Sequence, residues 1–138
     1  MTHLRVEINR IINIQTFSLP KDNTSQPFYY DRQPGSLFSV PAGFSFVITD
    51  IIIQPETTTL TPNQFFLVVI TVGGARSFTS RSDGRTQHYP LAAGLVIPSG
   101  ASLDARNTTF STGTAEIQLL GYFVKETLAL GIGKPFTS

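Results

Sequence analysis

The feature that most constrains this chain is a set of runs in which nearly every residue is β-branched or aromatic. Between positions 44 and 53 the order is Phe44-Ser45-Phe46-Val47-Ile48-Thr49-Asp50-Ile51-Ile52-Ile53. Such side chains pack well on a pleated surface and lose χ1 freedom against the preceding turn of a helix. Pro41-Ala42-Gly43 precedes the run and Gln54-Pro55 follows it, so turn chemistry closes both ends. A second run, from Phe65 to Val72, stops at Gly73-Gly74. It is apolar at both parities, which places it mid-sheet or at a contact between subunits. A third, over 115–124, opens with Ala115, Ile117 and Leu119 inward and Glu116 and Gln118 outward, the alternation of a half-buried strand.

Shorter strands are predicted at 36–40, 76–80, 94–97 and 102–106, separated by Pro or Gly. Asp83-Gly84 tolerates positive φ and suits a tight hairpin turn, and Pro98-Ser99-Gly100 joins two of the short strands. Turn signals every ~8–12 residues are the pattern of a sandwich or barrel. Near the N-terminus Leu4, Val6, Ile8, Ile12 and Ile14 share strand parity, with Arg10 the exception. Leu4, Ile8, Ile11 and Ile12 also line one side of a helix; the β-branched content favours a strand. Residues 18–35, rich in Pro, Asn, Asp, Gln and Ser, read as a long loop, and such loops in compact domains are usually functional or mobile. The end of the chain, Gly131-Ile132-Gly133-Lys134-Pro135, continues neither helix nor strand. The expected organisation is one β-sandwich domain over 1–126 and a C-terminal tail over 127–138.

Composition removes several classes. Ten Lys+Arg nearly cancel nine Asp+Glu, for a net charge of +1, so there is no electrostatic footprint for nucleic acid. With 41% hydrophobic residues the chain is too apolar for disorder. No run approaches the ~18 apolar residues of a membrane helix, so no membrane insertion is expected. Zero cysteine excludes disulfides, thiolate metal sites and thiol nucleophiles. Met1-Thr2-His3-Leu4-Arg5 lacks the basic and apolar regions of a secretory signal, which favours a cytoplasmic or virion-associated location.

Val40-Pro41-Ala42-Gly43-Phe44-Ser45-Phe46-Val47-Ile48-Thr49-Asp50-Ile51 resembles the strand opening V-P-A-G-x-x-F-x-(I/L)-T-D-I of small uncharacterised bacterial and phage-associated β-sandwich proteins. Residues Gly94 to Leu103, followed by Leu120-Gly121-Tyr122-Phe123-Val124, resemble the second half of that pattern. The closing strand is also similar to the last strand of jelly rolls of the tumour-necrosis-factor and complement-C1q type. That resemblance implies a jelly-roll sandwich and trimeric assembly. Its motifs are turns and buried strands, so no catalytic residue is carried over. The tail Leu130-Gly131-Ile132-Gly133 is similar to the short C-terminal peptides that dock cargo inside encapsulin shells.

Reactive constellations are sparse. Of two histidines, His3 stands at the start and His88 lies in Gln87-His88-Tyr89-Pro90, read as a loop at the sandwich rim. A triad requires His88 to pair with Asp83 or Asp104, and there is no Gly-x-Ser-x-Gly elbow. Two distant histidines do not make a cupin-type metal set, and single, scattered acids do not make a calcium site. Leu128 and Pro135 break any Walker-type reading of Gly131 to Lys134. Asn23-Thr24-Ser25 and Asn107-Thr108-Thr109 match glycosylation acceptors, relevant only on a secretory route.

Two surfaces have the chemistry for binding. Phe28-Tyr29-Tyr30-Asp31-Arg32 sets aromatic faces beside groups that bond sugar hydroxyls; the structural alternative is that Phe28 and Tyr29 pin the loop to the sandwich. Arg76, Arg81, Arg85 and Arg106, with Asp83 and Asp104, form an arginine-rich set suited to bidentate contacts; if the Asp83-Gly84 turn projects, Arg81 and Arg85 present a cationic tip for an anionic glycan, a phosphate or a neighbouring subunit. Its alternative is a solvated hairpin with weak ion pairs. The expectation is therefore an all-β antiparallel jelly-roll sandwich of eight to ten strands with no catalytic residue, metal or cofactor. It acts as a homo-oligomeric structural or attachment module, a trimer by preference. Its candidate ligand-binding residues are Tyr29, Tyr30, Asp31, Arg32, Arg81, Asp83, Arg85, His88 and Tyr89; a carbohydrate-binding module is the alternative, and a cargo protein of an encapsulin shell a further one.

Overall fold

The computed structural model describes residues 11–19, 23–30, 35–55, 66–82, 85–107 and 114–129. Among these, nine strands form two antiparallel sheets. In chain order they are β1 (Ile12–Gln15), β2 (Gln26–Pro27), β3 (Tyr29–Tyr30), β4 (Phe44–Pro55), β5 (Phe66–Val72), β6 (Ala75–Ser82), β7 (Gln87–Pro98), β8 (Leu103–Asn107) and β9 (Ala115–Lys125), and one helical turn, α1 (Glu126–Ala129), follows. The five-stranded sheet has the order β3-β1-β9-β4-β7 and the four-stranded sheet β2-β8-β5-β6. The chain is an all-β protein of two sheets packed around one core.

Residues opposed across a ladder share a face, so the register shows which side chains the sandwich encloses. One inward row of the larger sheet runs Tyr30, Ile14, Leu119, Ile51, Tyr89; the next runs Ile12, Gly121, Ile48, Leu95. Val68, Ile70, Leu103 and Ala105 close on them from the smaller sheet. Each buried Ile, Leu or Val contributes about 1.5–3 kcal/mol of transfer free energy. Gly121 interrupts its row for a reason: a Cβ there would overlap the Val47 carbonyl oxygen and lie 2.7 Å from Phe46 Cζ. The Phe46 ring fills that space and packs on Phe38 and Phe123, with centroids 4.8 and 5.3 Å away. Two buried polar side chains tie the segment around β1 to other strands. Thr16 Oγ1 accepts the Ile117 N–H at 3.0 Å, and Asn107 Nδ2 donates to the Leu19 carbonyl at 3.1 Å.

The long strands fall where the β-branched runs predict them, and β5 lies between β8 and β6 as its two apolar parities require. Several expectations are corrected. Residues 18–35 are not simply a loop: Phe28, 1% exposed, anchors the segment in the core, and β2 and β3 on either side of it pair with β8 and β1 in different sheets. Residues 36–40 make no strand beyond a bridge between Leu37 and Tyr29, whose own strand β3 spans two residues. The strand predicted at 94–97 begins seven residues earlier, at Gln87, so His88 lies in a strand and not in a loop. Pro90 is tolerated because β7 is an edge strand, and Gly94, at φ +73°, marks an irregular stretch that hides the alternation. The turn expected at Asp83-Gly84 lies outside the described residues; β6 before it and β7 after it belong to different sheets. The tight hairpin is β5–β6, where Gly73 and Gly74 both have positive φ, the backbone a two-residue primed turn demands. The C-terminal tail expected from residue 127 begins within α1, whose Glu126 N–H donates to the Gly43 carbonyl at 2.9 Å. Residues 1–10, which carry most of the N-terminal strand expectation, lie outside the described residues.

Candidate functional site

The outer face of the five-stranded sheet divides into a polar and an apolar half. Toward the Gln87 end of β7 an outward row runs Tyr29, Gln15, Gln118, Ile52, His88. Beside it stand Asn13, Leu120, Asp50 and Pro90. Toward the other end the rows are Tyr122, Val47, Val96 and then Val124, Ser45, Pro98. Exposed Ile11 precedes β1 at the same end. Val47 is only 1% exposed although it faces out between Tyr122 and Val96. A solvated sheet face ordinarily alternates to polar at such positions. The change was readable in β9: outward positions 116 and 118 are Glu and Gln, and 120, 122 and 124 are Leu, Tyr and Val.

The polar half holds a compact titratable cluster. Thr49 is the extra residue of a bulge in β4, and the register shift there aims Thr49 and Asp50 to the same side. His88 Nε2–H donates to Asp50 Oδ1 at 2.7 Å, and the Thr49 hydroxyl donates to Asp50 Oδ2 at 2.8 Å. The His88 hydrogen bond, and after it that of Thr49, hold the Asp50 carboxyl below the usual aspartate range. This order, Thr–Asp–His, puts the carboxylate in the middle, so the imidazole does not take the hydroxyl proton as a triad base would. The partner of His88 among the described residues is thus Asp50 rather than Asp104. Asp104 stands on the other sheet, on β8, and Asp83 lies outside the described residues. A lone acid inside the apolar run 44–53 was the signal for Asp50.

The remaining predicted residues separate by edge and by parity. Tyr29 and Tyr30 form β3 at one edge of the larger sheet, and His88 and Tyr89 belong to β7 at the other. Four strand spacings, about 19 Å, lie between them, so one small ligand does not touch both. Tyr29 faces out, its ring 4.9 Å from that of Phe17. Tyr30 and Tyr89 face the core. Tyr30 packs on Phe38, and burial raises its hydroxyl above the usual phenol range. The Tyr89 hydroxyl lies 2.8 Å from Ser80 Oγ, tying β7 to β6 across the two sheets. Arg81 is exposed on β6, and Arg85 is exposed just before β7. Asp31, Arg32 and the tail from Leu130 onward lie outside the described residues.

Two further features bear on chemistry. An open groove of about 370 Å³ lies between residues 37–40 and the start of β8, walled by Leu37, Phe38, Val40 and Leu103 with Asp104 among its lining. Among the described residues no group of three or more His, Asp or Glu is placed to hold a metal, and no helix is long and apolar enough to cross a membrane. No protein-family model matches this chain, and no curated protein matches it.

Proposed function

We propose that this chain is a non-enzymatic structural or attachment module, of virion, tail-associated or cell-surface type. In this reading it assembles as a homotrimer and recognises a partner through its loops. The observation that carries the reading is the apolar half of the outer sheet face, where Tyr122, Val47, Val96 and Val124 stand together at positions a solvated sheet makes polar. A second copy is the simplest cover for it, since most soluble oligomers are symmetric homo-oligomers. The reading also takes the sandwich as a jelly roll. Its support is the path of the chain: β4, β7 and β9 belong to one sheet and β5, β6 and β8 to the other, so from β4 to β9 only β5 and β6 are both consecutive and paired. Pro90, Pro98 and the irregular stretch at Gly94 make the exposed edge of β7 a poor template for strand addition, which leaves the face as the route to association.

Light scattering on a sizing column tests this. The expected mass at micromolar concentration is about three times the 15.1 kDa chain, falling to one chain in a Tyr122→Glu, Ile11→Glu double variant that keeps its β-sheet circular dichroism. A native protein that elutes as a 15.1 kDa monomer overturns the proposal.

A carbohydrate-binding module is the second reading, favoured by the outward Tyr29 ring beside Phe17 at the sheet edge. Saturable binding on a glycan array, lost in Tyr29→Ala, selects it.

A further inference from the structure

The outer face of the four-stranded sheet brings together arginines that are far apart in sequence. Arg106 on β8 stands opposite Val69 on β5, which stands opposite Thr79 on β6. One row to either side, Arg76 is opposite Thr71 and Arg81 is opposite Leu67. A bulge at the β5–β6 turn end, with Ile70 opposite Phe78 and Thr71 opposite Arg76, keeps Arg76 on this outward side. Strand spacing and rise then set the Arg76 and Arg81 backbones about 14 Å apart, with Arg106 about 12 Å from each. Three guanidinium-bearing positions therefore surround the Val69–Thr79 pair.

We propose that this face binds a sulfated glycan chain, with Arg76, Arg81 and Arg106 as its sulfate-binding residues. Guanidinium groups take oxyanions in bidentate pairs, and three of them spaced across a flat face suit a chain with repeated anionic groups better than a single phosphate. The centre of the face is closely covered: Val69 is completely buried and Thr71 nearly so. The Nε–H of Arg106 is buried and finds no acceptor among the described residues, and an anion on this face supplies one. Thr79 and the Asp104 carboxylate, opposite Val69 and Thr71, add partners for sugar hydroxyls. No aromatic ring among the described residues is available here for stacking on a base, since Phe78 turns inward onto Tyr89 at 5.2 Å. That composition favours a sulfated sugar over a nucleic acid. The site lies within one chain and on the sheet opposite the apolar face, so it stands or falls independently of assembly.

Titration calorimetry with a heparin-derived hexasaccharide tests the proposal, beside a neutral hexasaccharide and a single-stranded oligonucleotide, with the mass followed by light scattering. Saturable binding of the sulfated probe alone is expected, weakening with added salt. Arg106→Gln and Arg76→Gln each weaken it about tenfold with mass and circular dichroism unchanged, Arg106→Lys recovers only part of the loss, and Lys125→Gln leaves binding intact. Failure to bind the sulfated probe, equal binding of the oligonucleotide, or unchanged affinity in both Arg→Gln variants overturns it. A monomeric mass with intact binding removes the assembly proposal and leaves this one standing.

Discussion

Asn107 shows what a single side chain does in this fold. Its sequence context, Asn-Thr-Thr, reads as a glycosylation acceptor, yet the residue is completely buried and its amide is spent on the Leu19 carbonyl. In the folded protein it is a structural cross-link between the segment after β1 and the end of β8. Asn107→Ala leaves the Leu19 carbonyl without that donor and should cost about 2 kcal/mol in urea unfolding. Gly121 is the complementary case, a residue chosen for what it lacks. Gly121→Ala pushes a methyl into the Val47 carbonyl and the Phe46 ring, and about 2–3 kcal/mol of destabilisation is expected in the same measurement. A glycine inside a strand pattern signals close approach in the sequence. Which ring approaches it is not legible there, because Phe46 is 75 residues away along the chain.

At the scale of elements, the bulge in β4 determines the chemistry of the outer face. Without the bulge, Thr49 and Asp50 would point to opposite sides of the sheet. Because His88 and Thr49 hold the Asp50 carboxyl below its usual range, the stability it contributes is fully present above the ordinary aspartate value. It is lost as pH falls through the lowered one. Following the Asp50 carboxyl carbon by NMR during acid titration should give a midpoint below that of an unperturbed aspartate, moving up in His88→Ala. Asp50→Asn should remove this part of the acid-side loss of stability. A midpoint unmoved by His88→Ala would show that the contact does not hold in solution. The β5–β6 hairpin teaches a parallel lesson. Asp83-Gly84 and Gly73-Gly74 both carry hairpin signals, and only the sheet to which each flanking strand belongs distinguishes a turn from a crossover.

For the whole molecule, assembly links to stability by mass action. If three copies share the Tyr122–Val47–Val96 face, the thermal midpoint should rise with protein concentration over the micromolar range, and the Tyr122→Glu, Ile11→Glu variant should show no such dependence. The sequence alone determined the class: β-branched and aromatic runs with turn residues between them leave an antiparallel all-β chain as the economical solution, and local sterics are enough to say so. It also placed β4, β5 and β9 to within a few residues, because their apolar side chains report burial directly. Tertiary structure decided the rest. Tyr30 and Tyr89 went to the core and Tyr29 and His88 to the outer face through one-residue parity, which a bulge or an edge position can reverse. Contacts such as His88 with Asp50, or Arg106 beside Val69, arise from strands far apart in sequence. Local propensity carries no information about such neighbours; only the register of the folded sheets creates them.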